Sequence, residues 1–172
     1  MNWIIICILL AFLMYIAYNI LAISNFGVPH SLSQTYYLFG EKKEWMKILF
    51  PIMMISVATL LLPSWIVLSS GSNFQFTAFL SAIGMMFTGA CPTFANSKME
   101  DRIHTYSAYF AAIMSILWII LVSKVWWMIL LWGIIMLGYA FLFKNWKGKL
   151  TFWFETIVFL STFSSMIYYM VG

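Results

Sequence analysis

The run NWIIICILLAFLMYIAYNILAI, residues 2–23, carries no Asp, Glu, Lys, Arg or His. It exceeds the roughly 20 apolar residues that an α-helix needs to cross a bilayer core. A barrel strand would instead alternate polar and apolar positions over about 10 residues. A cleaved signal peptide would need a positive segment before a core of about 7–15 residues and a small-residue cleavage site after it. The run has neither flank and reads as a retained spanning helix.

The rest of the 172-residue chain repeats this pattern. Hydrophobic residues make up 64% and charged residues 8%, with a mean hydropathy of +0.95. Soluble domains carry about 25% charged residues, so the composition excludes an ordinary soluble fold. Apolar runs at about 3–23, 46–69, 74–93, 104–123, 125–143 and 150–171 predict six spans. The chain is expected to be all-α: a polytopic six-transmembrane-helix bundle, one integral membrane domain over residues 1–172, with short outer and longer inner loops. The short connections SGSN and SK imply antiparallel hairpins between the helices they join.

Charge location decides what the formal net charge of +4 means. With the N-terminus outside, the inner loops hold Lys42, Lys43, Lys47, Lys98, Arg102, Lys144, Lys147 and Lys149, and only Lys124 lies outside. This asymmetry follows the positive-inside rule and puts both termini on the outer side of a cell membrane. It explains the basic balance as topology with some attraction to anionic lipid, and leaves no soluble basic face for nucleic acid. Trp3, Trp65, Trp126 and Trp127 fall near the predicted outer boundary, and Trp45, Trp146 and Trp153 near the inner one, as interfacial belts require. Cys7 and Cys91 fall at opposite ends of their spans, too far apart for a disulfide, whose Cα atoms lie within about 7 Å.

Polar chemistry concentrates in the inner loops. In GVPHSLSQTYYLFGEKKEW, residues 27–45, Ser31 and Gln34 have capping-box spacing. A short interfacial helix is expected over 32–39, ending at a left-handed Gly40, with Leu32, Tyr36 and Phe39 on one face. That face can lie on the membrane or close the bundle mouth. Ser97 and Glu100 repeat the device, so the fourth helix is expected to begin at 98. His104 then has Glu100 and Asp101 one turn before it, an arrangement able to orient an imidazole or to form a surface ion pair. Glu155 is the acidic residue inside a predicted span, where a carboxylate needs a partner or a polar cavity.

Gathered around one mouth, His30, Ser31, Ser33, Tyr36, Tyr37, Thr93, Asp101, His104, Tyr106, Ser107 and Glu155 would form a polar inner vestibule. The stripes Gly84, Thr88, Cys91 and Ala108, Ala111, Ala112, Ser115 let helices approach closely in lipid.

The segment GMMFTGACPTFANSKMEDRIHTYSAYFAAI, residues 84–113, resembles the Frag/DRAM-like group of six-helix membrane proteins. In that group the third helix ends in a Gly-x-x-Pro-like turn and the fourth begins with a His followed by small residues; Gly89, Pro92, His104, Ser107 and Ala108 carry the match. The resemblance implies the fold and no particular reaction.

Three functions compete. In the first, the vestibule binds a lipid headgroup or small anion, using helix N-termini and nearby lysines, in a sensor, regulatory or assembly role without a cofactor. In the second, His30, His104 and Glu155, with Asp101, hold a metal for lipid hydrolysis, although no His-x-x-x-His spacing supports it. In the third, Glu155 serves a small transporter or channel, with bends at Pro51, Pro63, Gly133 and Gly138. Phosphate loops, nucleophile elbows and Cys-x-x-Cys pairs are missing, against nucleotide hydrolysis and redox work. Expected partners are membrane lipids, and a homodimer or membrane-protein partner suits so small a bundle.

Overall fold

A computed structural model describes residues 2–93, 95, 97–142 and 147–171. The described residues are helices and connections without strands. The α-helices are α1 (Asn2–Phe26), α2 (Thr35–Lys42), α3 (Leu49–Leu68), α4 (Phe76–Ala90), α5 (Lys98–Trp118), α6 (Trp127–Leu142) and α7 (Leu150–Val171). A 3-10 turn, Glu44–Ile48, leads into α3, and a π-helical turn, Ile119–Ser123, extends α5.

Four of the expected spans have helices long and apolar enough to cross a membrane: Trp3–Phe26, Glu44–Leu68, Lys98–Ser123 and Leu150–Val171. The other two differ. α4 has 15 residues and α6 has 16, which at 1.5 Å per residue rise only about 22–24 Å, less than the roughly 30 Å of a bilayer core. Apolar composition continues past both helices, but α4 ends at Cys91, ahead of Pro92, whose preceding residue is driven out of helical geometry.

α3 packs between α1 and α4, α4 lies along α5, and α7 touches α1, α3 and α5, closing a ring. α6 packs on α7, and Ala140 is its single buried residue among those described. The expected hairpin between α5 and α6 is therefore replaced by packing of α6 on α7. The π-helical turn and the left-handed Lys124 (φ 58°) redirect the chain there.

Close approach of α4 to its neighbours explains the small-residue stripe. A Cβ on Gly84 would stand 2.9 Å from Ala111 Cβ, Ala111 N and Ser107 O, and one on Gly89 would stand 2.9 Å from Met54 Cβ. Hydroxyls bridge the same seam: Ser81 Oγ lies 2.6 Å from Ser115 Oγ, and Thr88 Oγ1 lies 3.0 Å from Ser107 Oγ. Serines and threonines thus satisfy themselves between helices where lipid offers no partner.

The tryptophans expected in the belts divide by exposure. Trp3, Trp45, Trp126 and Trp127 are exposed, but Trp65 and Trp153 are buried in the core. Trp65 meets Trp118 edge-on at 5.9 Å, and Trp153 packs beside Phe152 and Tyr139. Trp146 and Lys144 lie outside the described residues, and Cys7 and Cys91 are free thiols.

Candidate functional site

The loop after α1 folds onto the bundle, held from three sides. Ser31 Oγ accepts from the Gln34 N–H at 3.2 Å, the forward half of the capping box. Gln34 Oε1 accepts from the His30 N–H at 2.8 Å, one residue earlier than the box predicts. The resulting turn postpones the helix, so α2 begins at Thr35 and runs through Gly40 to Lys42. Gly40 is not left-handed; it lies where the following 3-10 turn comes close, with Lys47 Cβ 3.6 Å from where a Cβ would be. Lys43, in extended geometry, ends the helix instead.

The expected apolar face of this segment points inward. Leu32 and Phe39 are 2% and 0% exposed, and Tyr36 is half-buried. Phe39 packs edge-on against Phe26 at 5.0 Å, while Tyr18 of α1 hydrogen-bonds Thr35, whose hydroxyl donates to the Leu32 carbonyl. α2 therefore covers the end of the bundle at which α1 finishes and α7 begins. Tyr18 and Thr35 were not among the expected site residues. Their signal in the sequence is a phenol one span away from a hydroxyl, which is visible only once the loop folds back.

Glu155 reaches this loop. Its Oε2 accepts from the Leu32 backbone N–H at 2.7 Å. His30 makes a second tie, its Nδ1 facing the Gly148 carbonyl, and its own carbonyl accepts from the Phe152 N–H at 3.0 Å. A Cβ on Gly148 (φ 69°) would meet the His30 ring at 3.1 Å. The loop is thus pinned to the start of α7 through backbone groups and one carboxylate.

Of the expected vestibule, His30, Ser31, Ser33 and Glu155 come together here. Tyr37 extends from α2 to the second inner loop, where its hydroxyl accepts from the Ala95 N–H at 2.7 Å. Partial burial raises the Tyr37 phenol above its ordinary titration range, so it stays neutral. Its ring also meets Tyr36 edge-on at 5.2 Å.

In the second inner loop, Ser97 Oγ accepts from the Glu100 N–H at 3.1 Å, and α5 begins at Lys98 as expected. The Glu100 carboxylate accepts from Thr93 Oγ1 at 2.7 Å rather than completing the box. His104 is 5% exposed, and its Nδ1 lies 3.2 Å from the Thr88 carbonyl and 3.0 Å from the Cys91 carbonyl. Carbonyls only accept, so Nδ1 carries the proton. His104 caps the last turn of α4, satisfying carbonyls that a helix end leaves open. The sequence expected Glu100 or Asp101 to orient the ring; the end of α4 does so instead, because it lies across the same face of α5. Asp101 is exposed, and Tyr106, 69% exposed, points away from the bundle. Ser107 bonds Thr88 within the α4–α5 seam.

His30, His104 and Glu155 are therefore not gathered into one ligand set: among the described residues no group of three His, Cys, Asp or Glu side chains is placed to hold a metal.

Above the loop lies a cavity of about 70 Å³, walled by α3, α4, α5 and α7 and floored by Leu32 and Ser33. Its walls are mainly apolar, with Phe50, Met54, Leu61, Met85, Ala111 and Phe159 among them; Glu155, Thr88, Ser115 and Thr162 supply polar atoms. Glu155 thus touches both the cavity and the loop beneath it. Compared with known proteins, the chain matches no family model, no curated protein and no solved structure.

Proposed function

We propose that this chain is a multi-pass membrane protein of six spans that binds a lipid-like amphiphile between its helices and reports occupancy to its inner loops, in a sensor, regulatory or assembly role. The observation that carries the reading is the apolar cavity whose floor, Leu32 and Ser33, belongs to the loop held by Glu155. A chain lodged there presses directly on that floor. The loop is linked onward through Tyr37 to the second inner loop, so a change at the floor reaches both polar segments of the inner side.

Six spans fit the alternation of charge along the sequence and the resemblance to Frag/DRAM-like proteins. α4 and α6 complete their crossings with the apolar residues that flank them in sequence, or by local thinning of the bilayer. Both termini then lie outside the cell membrane, and Lys42, Lys43 and Lys98 face the cytoplasm.

A lipid is favoured over a small free anion because the candidate anion donors are engaged by the chain itself: the Leu32 N–H by Glu155 and the Glu100 N–H by Ser97. Catalysis is not required by this reading.

Native mass spectrometry of the purified protein, compared with Ala112→Phe, tests it. Ala112 lines the cavity, and a benzyl group there fills space without touching the loop. Retained lipid on the wild type and its loss in the variant are the expected pair of results; lipid retained equally by both places it outside the cavity and refutes the reading. Labelling of single cysteines at Lys42 and Lys124 from either side of the membrane checks the orientation.

A further inference from the structure

We infer that the cavity is built for a slim, uncharged chain carrying a polar oxygen at each end. This deepens the lipid-binding reading and rests on it. Two buried side chains have no hydrogen-bond partner among the described residues. Trp65 Nε1 and Thr162 Oγ1 are buried, unbonded among the described residues, and belong to side chains 0% and 3% exposed. Both residues line the cavity. The other hydroxyls around it are engaged: Thr88 with Gly84 and Ser107, Ser115 with Ser81, and Ser33 with Ser31. Leaving a buried donor unmade is costly, and an indole N–H can only donate. The ligand group that suits Trp65 is therefore an acceptor oxygen.

The opposite end differs. Glu155 already accepts from Leu32, and its carboxyl group, charged or protonated, keeps lone pairs that accept a further hydrogen bond. A ligand hydroxyl suits it. Glu155 and Thr162 are seven residues apart on α7, two turns on one face, so the ends stand about 10 Å apart along the helix. Between them the wall is hydrocarbon and thioether, including Met54, Met85, Ala111 and Phe159.

Charge and size narrow the class further. No lysine or arginine lines the cavity, so a phosphate or carboxylate inside it would be buried without compensation. A volume of about 70 Å³ is narrow, since a single water takes roughly 10–15 Å³ of such space. That admits one unbranched chain and not a paired-chain phospholipid. The occupant is thus a neutral, single-chain molecule, hydroxylated at one end and bearing a hydroxyl, carbonyl or ether oxygen at the other.

The test uses an unbranched eight-carbon diol, hydroxylated at both ends, against the eight-carbon mono-alcohol, on the full-length protein in detergent. The readout is the rise in melting temperature with alcohol concentration. The diol is expected to act at about tenfold lower concentration than the mono-alcohol, the factor that one well-made hydrogen bond supplies. Thr162→Val, which removes the hydroxyl at nearly constant shape, and Trp65→Phe, which removes the indole N–H together with one ring, are expected to erase most of that advantage. Without alcohol, Thr162→Val should melt no lower than wild type, because it deletes an unmade hydrogen bond. A diol no better than the mono-alcohol in the wild type overturns the two-ended ligand while leaving lipid binding standing. So does an advantage that survives both substitutions. A Thr162→Val protein that melts lower without alcohol assigns the hydroxyl to packing or to bound water and likewise overturns the inference. If neither alcohol acts and Ala112→Phe retains lipid as the wild type does, the lipid-binding reading falls with it.

Discussion

Replacing Glu155 should show how firmly the first inner loop is tied to α7. The Leu32 N–H that it accepts at 2.7 Å sits on a residue 2% exposed, so water cannot substitute. Glu155→Met keeps the length of the side chain and removes the acceptor. An unsatisfied buried N–H costs about 1–3 kcal/mol. Relief of the carboxylate's own desolvation offsets part of this, since a charge buried beside apolar walls is itself expensive. Glu155→Gln separates the two effects, because its amide oxygen can accept the same N–H without the charge. The expected order of stability is Gln near wild type or slightly above, and Met lower than Gln by about 1–3 kcal/mol. For a chain of this size that corresponds to roughly 2–12 °C in Tm, using about 2–4 °C per kcal/mol. Tryptophan fluorescence during heating gives the order. Alkylation of a cysteine placed at Ser31 gives the local consequence, faster in Met than in Gln. Equal Tm and equal alkylation in the two variants would refute the latch.

Gly84→Ala places a methyl 2.9 Å from the backbone of α5 and should cost at least the 1–3 kcal/mol typical of overpacking. Ala111→Gly should restore only part of it, because Ala111 N and Ser107 O remain in the way; full rescue in a melting experiment would contradict the backbone clash. In the α4–α5 seam, a double-mutant cycle of Ser81→Ala and Ser115→Ala should return a coupling of about 0.6 kcal/mol, and at most about 1.7, as for hydroxyls between membrane helices; zero coupling would remove the bond between them. Ser97→Ala deletes the N-cap of α5 and should cost about 1 kcal/mol, measurable as a lower Tm, whereas Tyr106→Ala, on an exposed side chain, should lie within about 0.5 kcal/mol of wild type.

Much of the candidate site was legible one loop at a time. Ser31 and Ser97 revealed local turns because a capping bond depends on residues three apart. Glu155 stood out because a carboxylate in an apolar run is costly wherever it falls. The partners were not legible. His104 was read against Glu100 and Asp101, its neighbours on α5, yet its ring meets the carbonyls at the end of α4. Trp65 was read as an interfacial anchor from its place near a span end, yet it is buried against Trp118. Gly40 was read as a helix stop from glycine's usual role, and the close passage of the next turn used it instead.

From the sequence alone come the all-helical class, four of the six expected long apolar helices, the start of α5 and the position of the polar loops. These depend on periodicity, hydropathy and caps, which act over a few residues of one chain segment. Tertiary structure decided that α6 leans on α7, that the loop after α1 folds back over the bundle end, and that Glu155 holds Leu32 across 123 positions of sequence. Such pairings depend on which helix faces come together, and in an apolar chain nearly every face is greasy enough to pack against any other. Shape and a few buried polar bonds choose among them, and both exist only once the helices have met.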